Sequence, residues 1–133
     1  MCSAKNDPRR KPQADVMSRL ILIVEDNQLV IDALRILFEA GGRRVSGARS
    51  IAEALVTADA DPPALVLLDL RLPDGDGLVL VDHLRAKGAV VIALTGDDDP
   101  SKRQRCLEAG CVDVLIKPVP VKELMAVTER WIE

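Results

Sequence analysis

Three carboxylates, a hydroxyl and an amine in this sequence each stand where a short apolar run stops. Leu20-Ile21-Leu22-Ile23-Val24 leads into Glu25-Asp26, and Ala64-Leu65-Val66-Leu67-Leu68 leads into Asp69. Val90-Val91-Ile92-Ala93-Leu94 leads into Thr95, and a run from Val112 to Ile116, interrupted by Asp113, leads into Lys117-Pro118. Carboxylates gathered on one rim repel one another, which raises their pKa values unless a cation intervenes. A hard divalent ion such as Mg²⁺ relieves this, taking one or two carboxylates plus phosphate oxygens and keeping several waters. Asp26 and Asp69 are then its direct ligands, with Glu25 acting through water. A lysine and a threonine alongside supply positive charge and a hydrogen-bond donor to phosphoryl oxygens. The set points to phosphate handling beside a bound cation.

For these residues to meet, the runs must lie side by side. Short, β-branched, nearly continuous apolar stretches read as strands buried on both faces of a parallel sheet. In open α/β sheets the ligand site lies beyond the carboxyl ends of the strands, where strand order reverses. Helical patterns separate the strands. Residues 28–40 carry Val30, Leu34, Leu37 and Phe38 on one stripe and stop at Gly41-Gly42. A weaker strand over Arg44–Ala48 reads as an edge, and Ser50 with Glu53 forms a capping box for the second helix. Asp76 is the natural cap of a third helix that buries Leu80, Val81 and Leu84. A fourth helix runs from Pro100-Ser101 to Gly110, and a fifth over 121–132 has the stripe Val121, Leu124, Met125, Thr128, Trp131 and Ile132. The expected fold class is α/β, a doubly wound parallel sheet with right-handed crossovers.

Residues 20–132 resemble a two-component response-regulator receiver domain, similar to single-domain chemotaxis regulators. The resemblance rests on Glu25-Asp26, Asp69, Leu72-Pro73, Asp76-Gly77, Thr95 and Lys117-Pro118 together. It implies a flavodoxin-like sheet of five parallel strands in the order 2-1-3-4-5, flanked by five helices. It implies Asp69 as the acceptor of a phosphoryl group from a sensor histidine kinase or a histidine phosphotransfer protein. It adds the backbone carbonyl of Arg71 as a further protein ligand to Mg²⁺, beside Glu25, Asp26 and Asp69. A carboxylate is already nucleophilic at neutral pH, so Asp69 needs no general base. Phosphoryl transfer depends mainly on positioning and electrostatics. Lys117, Thr95 and the backbone N–H after Asp69 meet that demand.

Composition narrows the rest. The chain has 133 residues with net charge −3, and its core is aliphatic, since aromatic residues make up only 2%. Residues 1–19 hold five basic and two acidic residues, so the remainder is acidic and unsuited to nonspecific DNA contact. We expect residues 1–18 to be a disordered basic tail, with translation starting naturally at Met17, and residues 19–133 to be the receiver domain. No apolar run nears the ~18 residues of a membrane span. A cytoplasmic location and reduced thiols at Cys2, Cys106 and Cys111 are expected.

Several features depart from the family or leave choices open. Many receivers carry Tyr or Phe three residues before the lysine, where this chain has Val114 and contains no tyrosine. A β-branched side chain cannot act as an aromatic rotamer switch. Val119 likewise replaces the aromatic often found after Lys-Pro. The response is expected in the Thr95–Asp99 loop and the fourth helix. A downstream protein would then be met on the face formed by the fourth helix, fifth strand and fifth helix. Lys102, Arg103 and Arg105 read either as a patch for an acidic partner or as a solvated face. Arg71 and Asp97 flank the route of water to the phosphoryl group. Asp74-Gly75-Asp76-Gly77 imitates a calcium loop, but the flanking ligand positions fall on Leu72 and His83, so that reading fails. His83 reads as a structural histidine. The leading expectation is a stand-alone regulator that catalyses only its own phosphorylation and dephosphorylation, with a module cut from a hybrid kinase or longer regulator as the alternative. A haloacid dehalogenase-type phosphatase would need a second aspartate where Arg71 stands.

Overall fold

The structure is a computed structural model and describes residues 19–132. The expected tail over 1–18, with Cys2 and Met17, lies outside the described residues. Strands β1 (Leu20–Val24) and β3 (Leu65–Asp69) are buried at every position. With β2 (Arg44–Ala48), β4 (Val90–Thr95) and β5 (Asp113–Ile116) they form one parallel sheet in the order β2-β1-β3-β4-β5. The expected topology and the edge position of β2 both hold.

Period-two alternation splits the core into two halves. Leu22, Val24, Val66, Leu68, Val91 and Ala93 face α2 (Ile51–Ala60), α3 (Val81–Ala86) and α4 (Pro100–Ala109), meeting Ala54, Ala58, Leu84 and Cys106. Ile21, Ile23, Leu65, Leu67, Ile92 and Leu94 face α1 (Gln28–Ala40) and α5 (Val121–Ile132), meeting Ile31, Phe38, Leu124 and Val127. Such a two-sided sheet explains why the strands read as unbroken apolar runs rather than alternating ones.

Helix ends follow the sequence with small shifts. Asp76 does cap, accepting from Leu78 N–H at 3.0 Å, but what it caps is a 3₁₀ turn (Gly77–Leu80) that continues into α3. Ser50 accepts from Glu53 N–H at 3.1 Å, while Glu53 reaches back past the cap to Arg49 N–H at 2.9 Å. Gly110 closes α4 at φ +116°, a left-handed position that glycine occupies without the strain of a side chain. The helix stripes are rotated from expectation. Ile31 is buried in α1 where Val30 is 38% exposed. In α5 Val127 is buried, whereas Val121 and Trp131 are 51% and 37% exposed. Thr128 is buried because its hydroxyl donates to the Leu124 carbonyl at 2.8 Å.

Candidate phosphoacceptor site

The tips of β1, β3, β4 and β5 meet at one end of the sheet. Glu25 and Asp69 are buried there and Asp26 is exposed, and one carboxylate oxygen from each lies within 4.8 Å of the others. The Lys117 ammonium stands 3.1 Å from Asp69 Oδ2 and 3.2 Å from Glu25 Oε1. Its backbone N–H donates to the Thr95 carbonyl at 2.7 Å, which ties the end of β5 to the end of β4. The following Lys117-Pro118 bond is cis. Glu25, Asp26, Asp69, Arg71, Thr95 and Lys117 all line one cleft of about 890 Å³. Every residue expected at the site is therefore brought to it.

The electrostatics are unbalanced. Burial raises the Glu25 pKa above its usual value, and contact with Asp26 raises it further. The Asn27 N–H at 3.1 Å and the Lys117 ammonium pull the other way without offsetting this. Burial also pushes Lys117 down, but the hydrogen bonds and charges of Asp69 and Glu25 outweigh it, so its pKa ends above the usual lysine value. Within the carboxylate cluster itself, Glu25, Asp26 and Asp69 have one ammonium in ion-pair contact, that of Lys117, which leaves the cluster short of positive charge. A hard cation with oxygen ligands fits that donor set.

Two hydrogen bonds differ from expectation. The N–H after Asp69, on Leu70, is taken by the Leu94 carbonyl at 3.3 Å. It is the Arg71 N–H that reaches Asp69, donating to Oδ1 at 3.1 Å. Thr95 Oγ1 accepts from Asp97 N–H at 3.1 Å, which orients the hydroxyl and fixes the turn after β4. Gly77 also matters here. It donates to the Leu70 carbonyl at 2.8 Å, and a Cβ in its place would lie 2.5 Å from the Asp69 carbonyl oxygen.

The basic residues of α4 have separate surroundings. Lys102 lines the cleft. Arg103 donates to the Val114 carbonyl at 3.0 Å, and Arg105 lies 3.4 Å from Asp76. Their helical spacing hid these separate partners. His83 pairs with Asp59 at 2.9 Å and belongs to the α2–α3 surface. Cys106 and Cys111 are buried and free, and burial pushes the Cys111 thiol up to about 12, which makes it inert. Sequence reasoning also missed Arg49, whose Nε donates to the Asp26 carbonyl at 3.1 Å.

The family model for the response regulator receiver domain matches residues 21–129. The chain belongs to this family. Among curated proteins, the receiver domain resembles the KDP operon transcriptional regulatory protein KdpE of Escherichia coli. The two are 41% identical over 107 residues, covering 80% of this chain and 48% of that protein. It is 37% identical over 112 residues to the response regulator MprA of Mycobacterium bovis, covering 83% of this chain and 49% of MprA. The chain thus spans about half the length of these relatives, and the expectation of a stand-alone regulator gains no support from them. Among solved structures, the non-phosphorylated HemR receiver domain of Leptospira biflexa is 33% identical, with a TM-score of 0.80 over 87% of this chain and 95% of that one. The receiver domain of a sensor histidine kinase, PA1611 of Pseudomonas aeruginosa, is 33% identical with a TM-score of 0.75, covering 86% of this chain and 98% of that one. That structure holds a magnesium ion in its active-site cleft. Among the described residues of the present chain, no helix is long and apolar enough to cross a membrane.

Proposed function

We propose that Asp69 is the phosphoacceptor of a two-component or phosphorelay pathway. The carrying observation is the Asp69 carboxylate 3.1 Å from the Lys117 ammonium, within a three-carboxylate cluster at the open end of the sheet. An Asp69 oxygen attacks phosphorus, the P–N bond to the donor histidine breaks, and its electron pair stays on the imidazole nitrogen. Lys117 takes up negative charge on the transferred group, and the Thr95 hydroxyl turns toward a phosphoryl oxygen. Asp26, Asp69 and Glu25, with the Arg71 carbonyl, are the groups that would hold Mg²⁺. The ion supplies charge neutralisation to the phosphoryl oxygens when bound.

The donor is a sensor histidine kinase or a histidine phosphotransfer protein, and the domain, assigned to residues 19–133, works in the cytoplasm. Output passes through protein contact on the face of α4, β5 and α5, and the acidic body of the domain does not itself bind DNA. The test is incubation with Mg²⁺ and acetyl phosphate, followed by phosphate-affinity electrophoresis. A retarded band in the wild type that Asp69→Asn abolishes is expected. A band that persists in Asp69→Asn overturns the assignment. In Asp26→Ala, Mg²⁺ affinity falls; unchanged affinity there overturns the ligand set.

A further inference from the structure

The start of α2 touches both loops that carry the proposed cation ligands, through residues that are not themselves ligands. On one side Arg49, the last residue before Ser50, donates from Nε to the Asp26 carbonyl at 3.1 Å. Its own backbone N–H is held by Glu53 at 2.9 Å. On the other side Asp74 reaches across from the loop after β3. Its Oδ1 accepts from Ile51 N–H at 2.8 Å and its Oδ2 from Ala52 N–H at 3.1 Å. These partners lie 23 and 22 residues away in sequence. Ser50 fills the next donor, Glu53 N–H. The first three N–H groups of α2 are thus satisfied, two of them by a distant carboxylate rather than a local cap.

Asp74 sits in the turn of a small antiparallel ribbon that pairs Arg71 with Asp76 and Leu72 with Gly75. Gly75 has φ +144°, and a Cβ there would lie 3.2 Å from Ile51 Cδ1, so the ribbon lies against α2. The same ribbon carries Arg71, whose N–H donates to Asp69 Oδ1. Asp74 is held below the usual carboxylate range, chiefly by the Ile51 N–H, so it is ionised at neutral pH and favoured at a helix N-terminus.

We propose that Arg49 and Asp74 are positioning residues that fix the distance between the Asp26 loop and the Arg71 ribbon, and so set divalent-cation affinity. The inference rests on the reading of Glu25, Asp26 and Asp69 as a cation site. Mg²⁺ demands near-ideal octahedral geometry, so a loop released on either side weakens binding. Residues that orient ligands in this indirect way typically carry 10–100-fold in metal affinity.

The experiment is Mg²⁺ titration by calorimetry on the full chain, with melting temperatures recorded in parallel. Arg49→Gln and Asp74→Ala each weaken binding by about tenfold. Arg49→Gln is the decisive variant, because it removes a positive charge beside the Asp26 loop and charge alone would tighten cation binding. Asp74→Asn keeps the shape of the side chain and one acceptor, covers the case in which Asp74→Ala fails to fold, and weakens binding less. Ser50→Ala removes the local cap of α2, lowers the melting temperature and leaves Mg²⁺ affinity within about twofold. Tighter or unchanged binding in Arg49→Gln overturns the proposal, as does Ser50→Ala weakening binding as much as Asp74→Ala. A wild type that binds no Mg²⁺ overturns the cation reading itself, a different and distinguishable failure.

Discussion

Gly77 shows how little freedom a single position beside Asp69 has. A methyl group there meets the Asp69 carbonyl oxygen at 2.5 Å and the Leu70 Cα at 3.2 Å, both backbone atoms that cannot swing away. Gly77→Ala should therefore destabilise the domain by about 1–3 kcal/mol, the usual range for overpacking, which a urea melt would read. A milder loss would mean that the turn after Asp69 shifts as a unit. Asp59 gives a pH-dependent test. Its carboxyl is lowered from the usual 3.8, first by the hydrogen bond to His83 and then by Lys87. A depressed folded-state pKa contributes stability above the unfolded value, and that contribution is lost as pH falls through the folded one. The melting-temperature gap between wild type and Asp59→Asn should thus be open above pH 3.8 and close below it. A gap that persists in acid would show that the asparagine perturbs packing instead. Glu25, Asp26, Asp69, Thr95 and Lys117 were legible in the sequence because each is the polar residue on which a buried run ends. The partners of Arg49 and Asp74 were not, because hydrogen bonds across 22 or 23 residues leave no local pattern.

Among the elements, strands were more legible than helix faces. β1 and β3 are buried on both sides, so every position had to be apolar and no phase had to be chosen. In α1 and α5 the apolar residues spread over more than one face, and tertiary packing selected Ile31 over Val30 and Val127 over Trp131. Substitution should expose this choice. Ile31→Ala should cost about 2–5 kcal/mol, as for other large buried aliphatics, while Ile36→Ala, 69% exposed on the same helix, should stay within about 0.5 kcal/mol. Chemical denaturation of the two variants checks the phase of α1. Equal losses would mean that α1 is turned differently on the sheet. The short α3 was misjudged for another reason: Asp76 caps a 3₁₀ turn before the α-helical hydrogen bonds begin at Val81.

At the scale of the molecule, α4 is tied both to the rim of the cleft and to β5. Arg105 reaches Asp76 beside the site, and Arg103 holds the carbonyl of Val114, the position where many receivers have their aromatic switch. With Val114 only 3% exposed, a swinging ring has no counterpart here, so under the proposed function any movement of the Thr95–Asp99 loop would pass to α4 through backbone and arginine contacts. Addition of beryllofluoride should therefore shift amide NMR signals in residues 95–109 as well as in the cleft. Shifts confined to the cleft would leave the output face without a messenger.

The split of the core by the sheet has one more outcome. After β1 the chain turns to the side of α1 and α5, and after β3 it turns to the side of α2, α3 and α4. The two connections leave in opposite directions at neighbouring strand tips, and the notch between them is the mouth of the cleft. Under the proposed function, this notch is where a donor imidazole would approach Asp69. Turnover with a small phosphodonor should then follow the donor's own reactivity, with no lag for a doorway to open.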